Sequence, residues 1–184
     1  MAAGPANAVT EYGPVQSNSG HWYQAVYVSE GISWMAAQSD ASSKGGYLAT
    51  ITSEGENTFA SDLVTDAKYW VFSIHNHGPY LGGIDKGVSP SYNDWTWVND
   101  DTWNYTNWGS GQPDTPGTEL YLQFFNKDSS LPGSSWNDIM DSWNGGMRGY
   151  IIEYDTNPVP LPPGVLLLGS GLLGLLGWGR FRQQ

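Results

Sequence analysis

The first dense run of large apolar positions is WYQAVYV, residues 22–28, aromatic and β-branched almost throughout, and it predicts a strand. A helix is expected next over residues 33–43, with Ile32, Met35 and Ala36 on one side. Gly45-Gly46 ends it, and residues 47–51 return to strand character. Ser53 and Glu56 then form an S-x-x-E capping box, which announces a second helix in which Phe59 and Leu63 stand four apart and share a buried face. Past Lys68 the pattern changes to strands and loops. YLGGIDK and DWTWVND alternate large with polar residues, and GYIIEY near position 150 reads as a closing strand. No internal repeat is visible. Strand, helix, strand, helix, then many loops and strands describe a small α+β domain. Residues 155–164 follow as a proline-punctuated linker, stiff and extended.

A length of 184 residues suits one such domain plus extras, enough to bury a real core. Charge narrows the partners. All 18 acidic residues precede position 158, and the five basic ones there (Lys44, Lys68, Lys86, Lys127, Arg148) leave that region at −13. Such a surface repels phosphate backbones, which argues against nucleic acid as a partner, and it favours cations. Cysteine is absent, so disulfides, thiolate zinc sites, iron–sulfur clusters and a cysteine nucleophile are excluded. Neither G-x-S-x-G nor H-E-x-x-H occurs, no nucleophile–base pair stands out, and nothing supports an enzyme.

The two ends read as addresses. The chain closes on VPLPPGVLLLGSGLLGLLGWGRFRQQ, in which residues 159–179 form an uncharged stretch of 21, close to the ~20 that a membrane span needs. Arg180 and Arg182 follow at once, which places the C-terminus in the cytoplasm and the folded domain outside. A buried core helix is the competing reading of that run. Gly169, Gly171 and Gly174 satisfy G-x-G-x-x-G there, yet no strand precedes them and no acidic residue follows, so a dinucleotide site fails. The order of proline motif, apolar helix and basic tip resembles a PEP-CTERM-type sorting signal, in the variant whose motif is supplied here by Val159, Pro160, Leu161 and Pro162. That resemblance implies export in a Gram-negative bacterium that makes exopolysaccharide and processing by an exosortase. It also implies an outer-surface or biofilm-matrix location and a transient membrane anchor at residues 165–184. At the other end, residues 1–8 contain Ala6-Asn7-Ala8, the A-x-A form of a signal-peptidase site. They are either a signal-peptide remnant or an ordinary flexible terminus, ahead of an N-terminal segment at 9–20.

The stretch richest in chemistry is NWGSGQPDTPGTELYLQF, residues 107–124, where Gln112, Asp114 and Glu119 stand among Gly, Ser, Thr and Pro. A surface turn explains it, because Pro and Gly preset turn dihedrals and short polar residues satisfy the backbone. A loop that holds a hard cation explains it equally.

Around that loop the chain presents GGYLATITSEGEN, YLGGIDK, WTWVNDDTWNYTNW, QPD followed by Glu119, SSWND and GYIIEY. In kind and in order these resemble a C-type lectin-like domain, with the match running over about residues 21–154. The resemblance implies that fold: two short helices, antiparallel strands and a long calcium-binding loop region. It implies Ca2+ held by Gln112, Asp114, Glu119, Asn137 and Asp138, the last through its backbone carbonyl as well. It also implies a cis peptide at Pro113 that turns Gln112 and Asp114 the same way. Calcium takes six to eight oxygen ligands, which one loop rarely supplies, and Asn137 and Asp138 bring theirs from the strand after Trp136. In lectins of this family the open positions take two vicinal sugar hydroxyls. Gln112, Asp114, Glu119 and Asn137 would hydrogen-bond them too, carboxylates accepting and amides donating.

Gln-Pro-Asp is associated in the family with galactose-type diols. The aromatic ring that galactose-type members carry after that motif is missing from TPGTE, and Tyr121, Trp108 and Trp143 are the substitutes available. The family's cysteines are missing too; Ala41, Leu120, Asp141 and Ile152 occupy or lie near their positions. Each lost disulfide forgoes about 2–4 kcal/mol, which the burial of ten tryptophans can offset.

Trp22, Trp34, Trp95, Trp97 and Trp136 are expected in the core. His75 and His77 form H-x-H without a third ligand of suitable spacing and read as a loop pair. The function expected is a calcium-dependent carbohydrate-binding module for a glycan or exopolysaccharide. A calcium-independent protein-binding or matrix scaffold on the same fold is the alternative.

Overall fold

The computed structural model describes residues 9–87, 94–115, 117–128 and 132–158. Its elements are β1 (Val9–Gln16), β2 (Trp22–Ile32), α1 (Trp34–Ser43), β3 (Tyr47–Leu48), α2 (Glu54–Asp62), β4 (Val71–Phe72), β5 (Asn76–Asp85), β6 (Trp95–Trp97), β7 (Tyr121–Asn126), β8 (Ser135–Ile139) and β9 (Met147–Tyr154). The strands join in the order β1-β2-β9-β5-β7-β8, with β3 added to β9 and both β4 and β6 added to β5. The closing strand β9 lies antiparallel to β2, Trp22 opposite Tyr154, and parallel to β5 at Tyr80 and Tyr150.

Residues 9–20 are more than a lead-in. They form β1 and a turn, paired antiparallel with β2 from Val9↔Val28 to Gln16↔Trp22. Strand β1 therefore belongs to the same sheet as the strands from Trp22 onward. Its first five residues are exposed, so no buried alternation marks β1 as a strand.

Both helices are capped as their sequences indicate, with adjustments. The Ser33 hydroxyl accepts from Ala36 N at 3.2 Å, and the Asp141 carboxylate accepts from Met35 N at 2.8 Å. The buried face of α1 is Trp34, Ala37 and Ala41; Met35, expected inside, is 62% exposed. Spacing alone allows either stripe in a helix this short, and Trp34 has far more surface to hide than Met35 and Ala36 together. In α2 the Ser53 hydroxyl accepts from Glu56 N, but the Glu56 carboxylate reaches past the cap to the N–H and hydroxyl of Thr52, at 2.8 and 2.7 Å. Phe59 and Leu63 pack half-buried against the core, while full burial on α2 goes to Asn57 and Ala60.

The core has two parts. Tyr23, Ala25 and Ile151 belong to one cluster and Val26, Val28, Tyr150 and Ile152 to the other, as neighbouring residues on a strand point to opposite faces. Ala41 and Ile152 are fully buried in the second cluster, where they pack among apolar side chains. In the first cluster the rings of Trp97, Trp103, Trp108 and Trp136 stack or meet edge-on, with centroids 4.4 Å apart for Trp97 and Trp103 and 5.9 Å for Trp108 and Trp136. Trp34, Trp95, Trp97 and Trp136 are buried; Trp22 is only partly so.

β5 is buried on both faces, and its glycines allow the neighbours that close on it. A Cβ on Gly82 would stand 2.2 Å from the Leu48 carbonyl oxygen, which is backbone and cannot swing aside. Gly82→Ala is expected to cost about 3 kcal/mol, the upper range for overpacking, seen as a fall in melting temperature of roughly 6–12 °C. Gly55→Ala, in α2 with open space around it, should be neutral or slightly stabilising. Equal melting temperatures for the two variants would sink this account of β5.

Among the described residues no helix is long and apolar enough to cross a membrane. The motif Val159, Pro160, Leu161, Pro162 and the apolar run behind it lie outside the described residues.

Candidate functional site

The loop 107–120 and strand β8 meet at the carboxylate of Asp138. Its two oxygens accept the backbone N–H groups of Asp114 and Thr115 at 3.2 and 3.1 Å, which fixes the turn after Pro113 against the sheet. The Gln112–Pro113 peptide is cis. Asp114 is held further by the Thr115 hydroxyl at 3.0 Å and by the Gln112 amide at 3.3 Å, both donating to its carboxylate. Carboxylate oxygens of Asp114, Glu119 and Asp138 all lie within 4.8 Å of one another. Asn137 shares β8 with Asp138, and its amide donates to the Asp138 carbonyl, the oxygen expected as an additional metal donor.

Gln112, Asp114, Thr115, Glu119 and Asn137 line one cleft of about 280 Å³. Four of the five residues expected at a cation site thus face one space, and the fifth, Asp138, holds the loop from behind while its carboxylate stays in the cluster. No ion pair among the described residues reaches Asp114, Glu119 or Asp138. Burial, reinforced by the charges of Asp138 and Asp114, pushes the Glu119 carboxyl up to about 7. Burial raises Asp138 as well, against the N–H groups of Thr115 and Asp114 that stabilise its charge. The Gln112 side-chain oxygen is buried and has no hydrogen-bond partner among the described residues. All-oxygen donors, excess negative charge and an orphaned amide oxygen together fit a hard divalent cation such as calcium.

Of the rest of the cleft, only Trp143 is named for the site from sequence. His75, His77, Phe125, Ile139 and Trp143 complete its wall. His77 is not a loop residue: it lies in β5, 9% exposed, with its ring 4.2 Å from that of Trp143. The H-x-H spacing, which puts both histidines on one side of an extended chain, is the signal that locates them together. Of the three aromatic substitutes, only Trp143 lines the cleft. Tyr121 stacks on Trp34 at 4.5 Å, and Trp108 packs into the tryptophan cluster.

No family model matches the chain. It is 32% identical over 123 residues to a perlucin-like protein of Mytilus galloprovincialis, covering 66% of this chain and 70% of that one. It is 26% identical over 109 residues to the galactose-specific lectin nattectin of Thalassophryne nattereri, covering 59% of this chain and 61% of that one. Among solved structures, the C-type carbohydrate-recognition domain of cow CD23 superposes with a TM-score of 0.53 at 20% identity, over 73% of this chain and 87% of that one. A Ca2+-dependent type II antifreeze protein superposes with a TM-score of 0.56 at 27% identity, over 73% and 92%. With the fold, the order of motifs and these relatives in agreement, the chain belongs to the C-type lectin-like domain family.

Proposed function

We propose that this domain is a calcium-dependent glycan-binding module that works outside the cell. One observation carries the reading: the convergence of Asp114, Glu119 and Asp138 with the amides of Gln112 and Asn137 at a cleft that also presents Trp143. Gln112, Asp114, Glu119, Asn137 and Asp138 would hold the ion. Calcium, when bound, supplies a Lewis-acidic centre with positions for two vicinal hydroxyls. The chain's own groups read the same hydroxyls, carboxylates by accepting and the amide N–H groups by donating. Trp143 offers an apolar edge for the carbon face of a sugar ring. Gln-Pro-Asp and the galactose-specific relative support a galactose-type diol. The tail sequence, with its Val-Pro-Leu-Pro motif, apolar run and terminal arginines, supports export through an exosortase-type sorting step and a place at the outer surface or in an exopolysaccharide matrix.

The test is calorimetric titration of galactose- and mannose-type methyl glycosides into the protein, with calcium and again with a chelator. Saturable binding in calcium alone supports the proposal. Binding that survives the chelator, or no sugar binding at all, favours a protein-binding or matrix scaffold.

Calcium affinity should also depend on pH in a set direction. The ion competes with the proton on Glu119, whose carboxyl titrates near 7, so affinity rises with pH and levels off above it. Between about pH 8 and pH 6 the ionised fraction of that one group falls about tenfold, and calcium affinity should fall at least as much. A flat profile over that range would contradict Glu119 as a ligand.

A further inference from the structure

His77 projects from β5 into the same cleft as the carboxylates, and no ligand role has been assigned to it above. It is nine-tenths buried. The Gln123 side-chain amide lies 2.9 Å from His77 Nδ1; with its nitrogen placed there the amide donates, Nδ1 accepts and the neutral ring carries its proton on Nε2. Gln123 is itself fully buried on β7, which keeps its amide beside the His77 ring. Two rings fix the imidazole plane: Trp143 lies over it at 4.2 Å and Phe125 meets it edge-on at 5.7 Å. The Nε2–H makes no hydrogen bond with any described residue.

We infer that His77 is a specificity-determining residue of the glycan site, a fixed Nε2–H donor that receives a hydroxyl or ring oxygen of the same sugar whose diol sits at the carboxylate cluster. The inference rests on the glycan reading proposed above and adds the sugar class to it. A cleft of about 280 Å³ is smaller than those that enclose drug-sized ligands, and it suits one hexose ring. The donor is uncharged, because burial and the neighbouring His75 hold the His77 ring down to about 4. Beyond the calcium, whose charge the carboxylates offset, no lysine or arginine is among the described residues that line the cleft to receive a uronate or sulfated sugar. A neutral hexose is therefore the ligand, gripped at its diol and at one further oxygen. Its orientation in the cleft follows from those two anchors.

The experiment compares the full-length wild type with His77→Ala and His77→Gln, titrating calcium and then neutral and uronic methyl glycosides in calcium. A parallel 15N spectrum of the wild-type histidines reports the His77 tautomer before and after sugar. We expect Nε2 protonated, its signal moving on sugar addition, no binding of the uronate, and about a 5–10-fold loss of sugar affinity in His77→Ala at unchanged calcium affinity. Glutamine, which keeps an N–H near that position, should recover part of the loss. Unchanged calcium binding in each variant shows that it is folded. Should His77→Ala fail to fold, the wild-type tautomer and its response to sugar decide alone. Sugar affinity within twofold of wild type in His77→Ala, a proton on Nδ1, or preferred binding of the uronate overturns the inference and leaves the glycan reading intact. No sugar binding by the wild type in calcium overturns both.

Discussion

Asp114→Ala and Glu119→Ala should each lower calcium affinity by at least about 100-fold, beyond the 10–100-fold typical of losing a group that only orients a ligand. Each removes a carboxylate from a cluster in which one oxygen of each of the three residues lies within 4.8 Å of the others, and calcium, with six to eight oxygen ligands to satisfy, has no spare donor of equal charge there. The two variants should differ in what remains. Asp114 is exposed and tied to its own loop through Thr115 and Gln112, so its loss loosens the loop tip. Glu119 is half-buried against like charges, so its loss relieves repulsion, and the metal-free protein should gain stability. Asp138→Asn should be the most disruptive for its size, because the amide can offer only one acceptor to the two N–H groups that Asp138 now receives. Calorimetry on metal-stripped protein measures all three. Wild-type calcium affinity in either alanine variant would remove the cluster as the ion's site.

Trp136→Ala should cost about 4–5 kcal/mol, enough to unfold a marginally stable domain. The side chain is fully buried and touches the rings of Trp97, Trp103, Tyr105 and Trp108, and its indole N–H donates to Asn57 on α2 at 2.7 Å. Truncation leaves a large void and an unpaired buried amide oxygen. Trp136→Phe fills most of the void but still orphans Asn57, so a loss of about 1–3 kcal/mol is expected from that alone. Because Trp136 directly precedes Asn137 and Asp138 on β8, the phenylalanine variant should bind calcium more weakly as well as melt earlier. Urea denaturation with and without calcium separates the two effects. A phenylalanine variant as stable as wild type would show that the Asn57 bond contributes nothing.

The parts of the site that the sequence discloses are those carried by short-range order. Gln112, Asp114 and Glu119 belong to one loop and Asn137 and Asp138 to one strand, and the family resemblance carried by those two short motifs is what put them on one list. His77 and Trp143 come from β5 and from the turn between β8 and β9, far apart along the chain, and the pairing of β5 with β7, of β7 with β8 and of β5 with β9 brings them to one cleft. The same limit explains the helix α1, where the stripe 34/37/41 and its rival at 35/36 fit the period equally and burial decided between them. It explains β1 too, whose exposed residues leave backbone pairing with β2 as its whole reason to exist. YLGGIDK reads as an alternation of large and polar residues, whereas β5 is buried on both faces, and Gly82 fits beneath the Leu48 carbonyl only because it has no side chain.

One strand also sets how the module would behave under tension. β9 begins just after Trp143, at the cleft, and ends at Tyr154, where the chain leaves the sheet toward its tail. Eight residues, about 26 Å of extended chain, separate the two ends. A glycan pulled outward and an anchor pulling on the tail would load the domain along β9. Its antiparallel ladder to β2 would then resist in shear, many hydrogen bonds together, rather than opening one at a time from an edge. The cleft and the point where the chain leaves the sheet would then lie toward opposite ends of that strand.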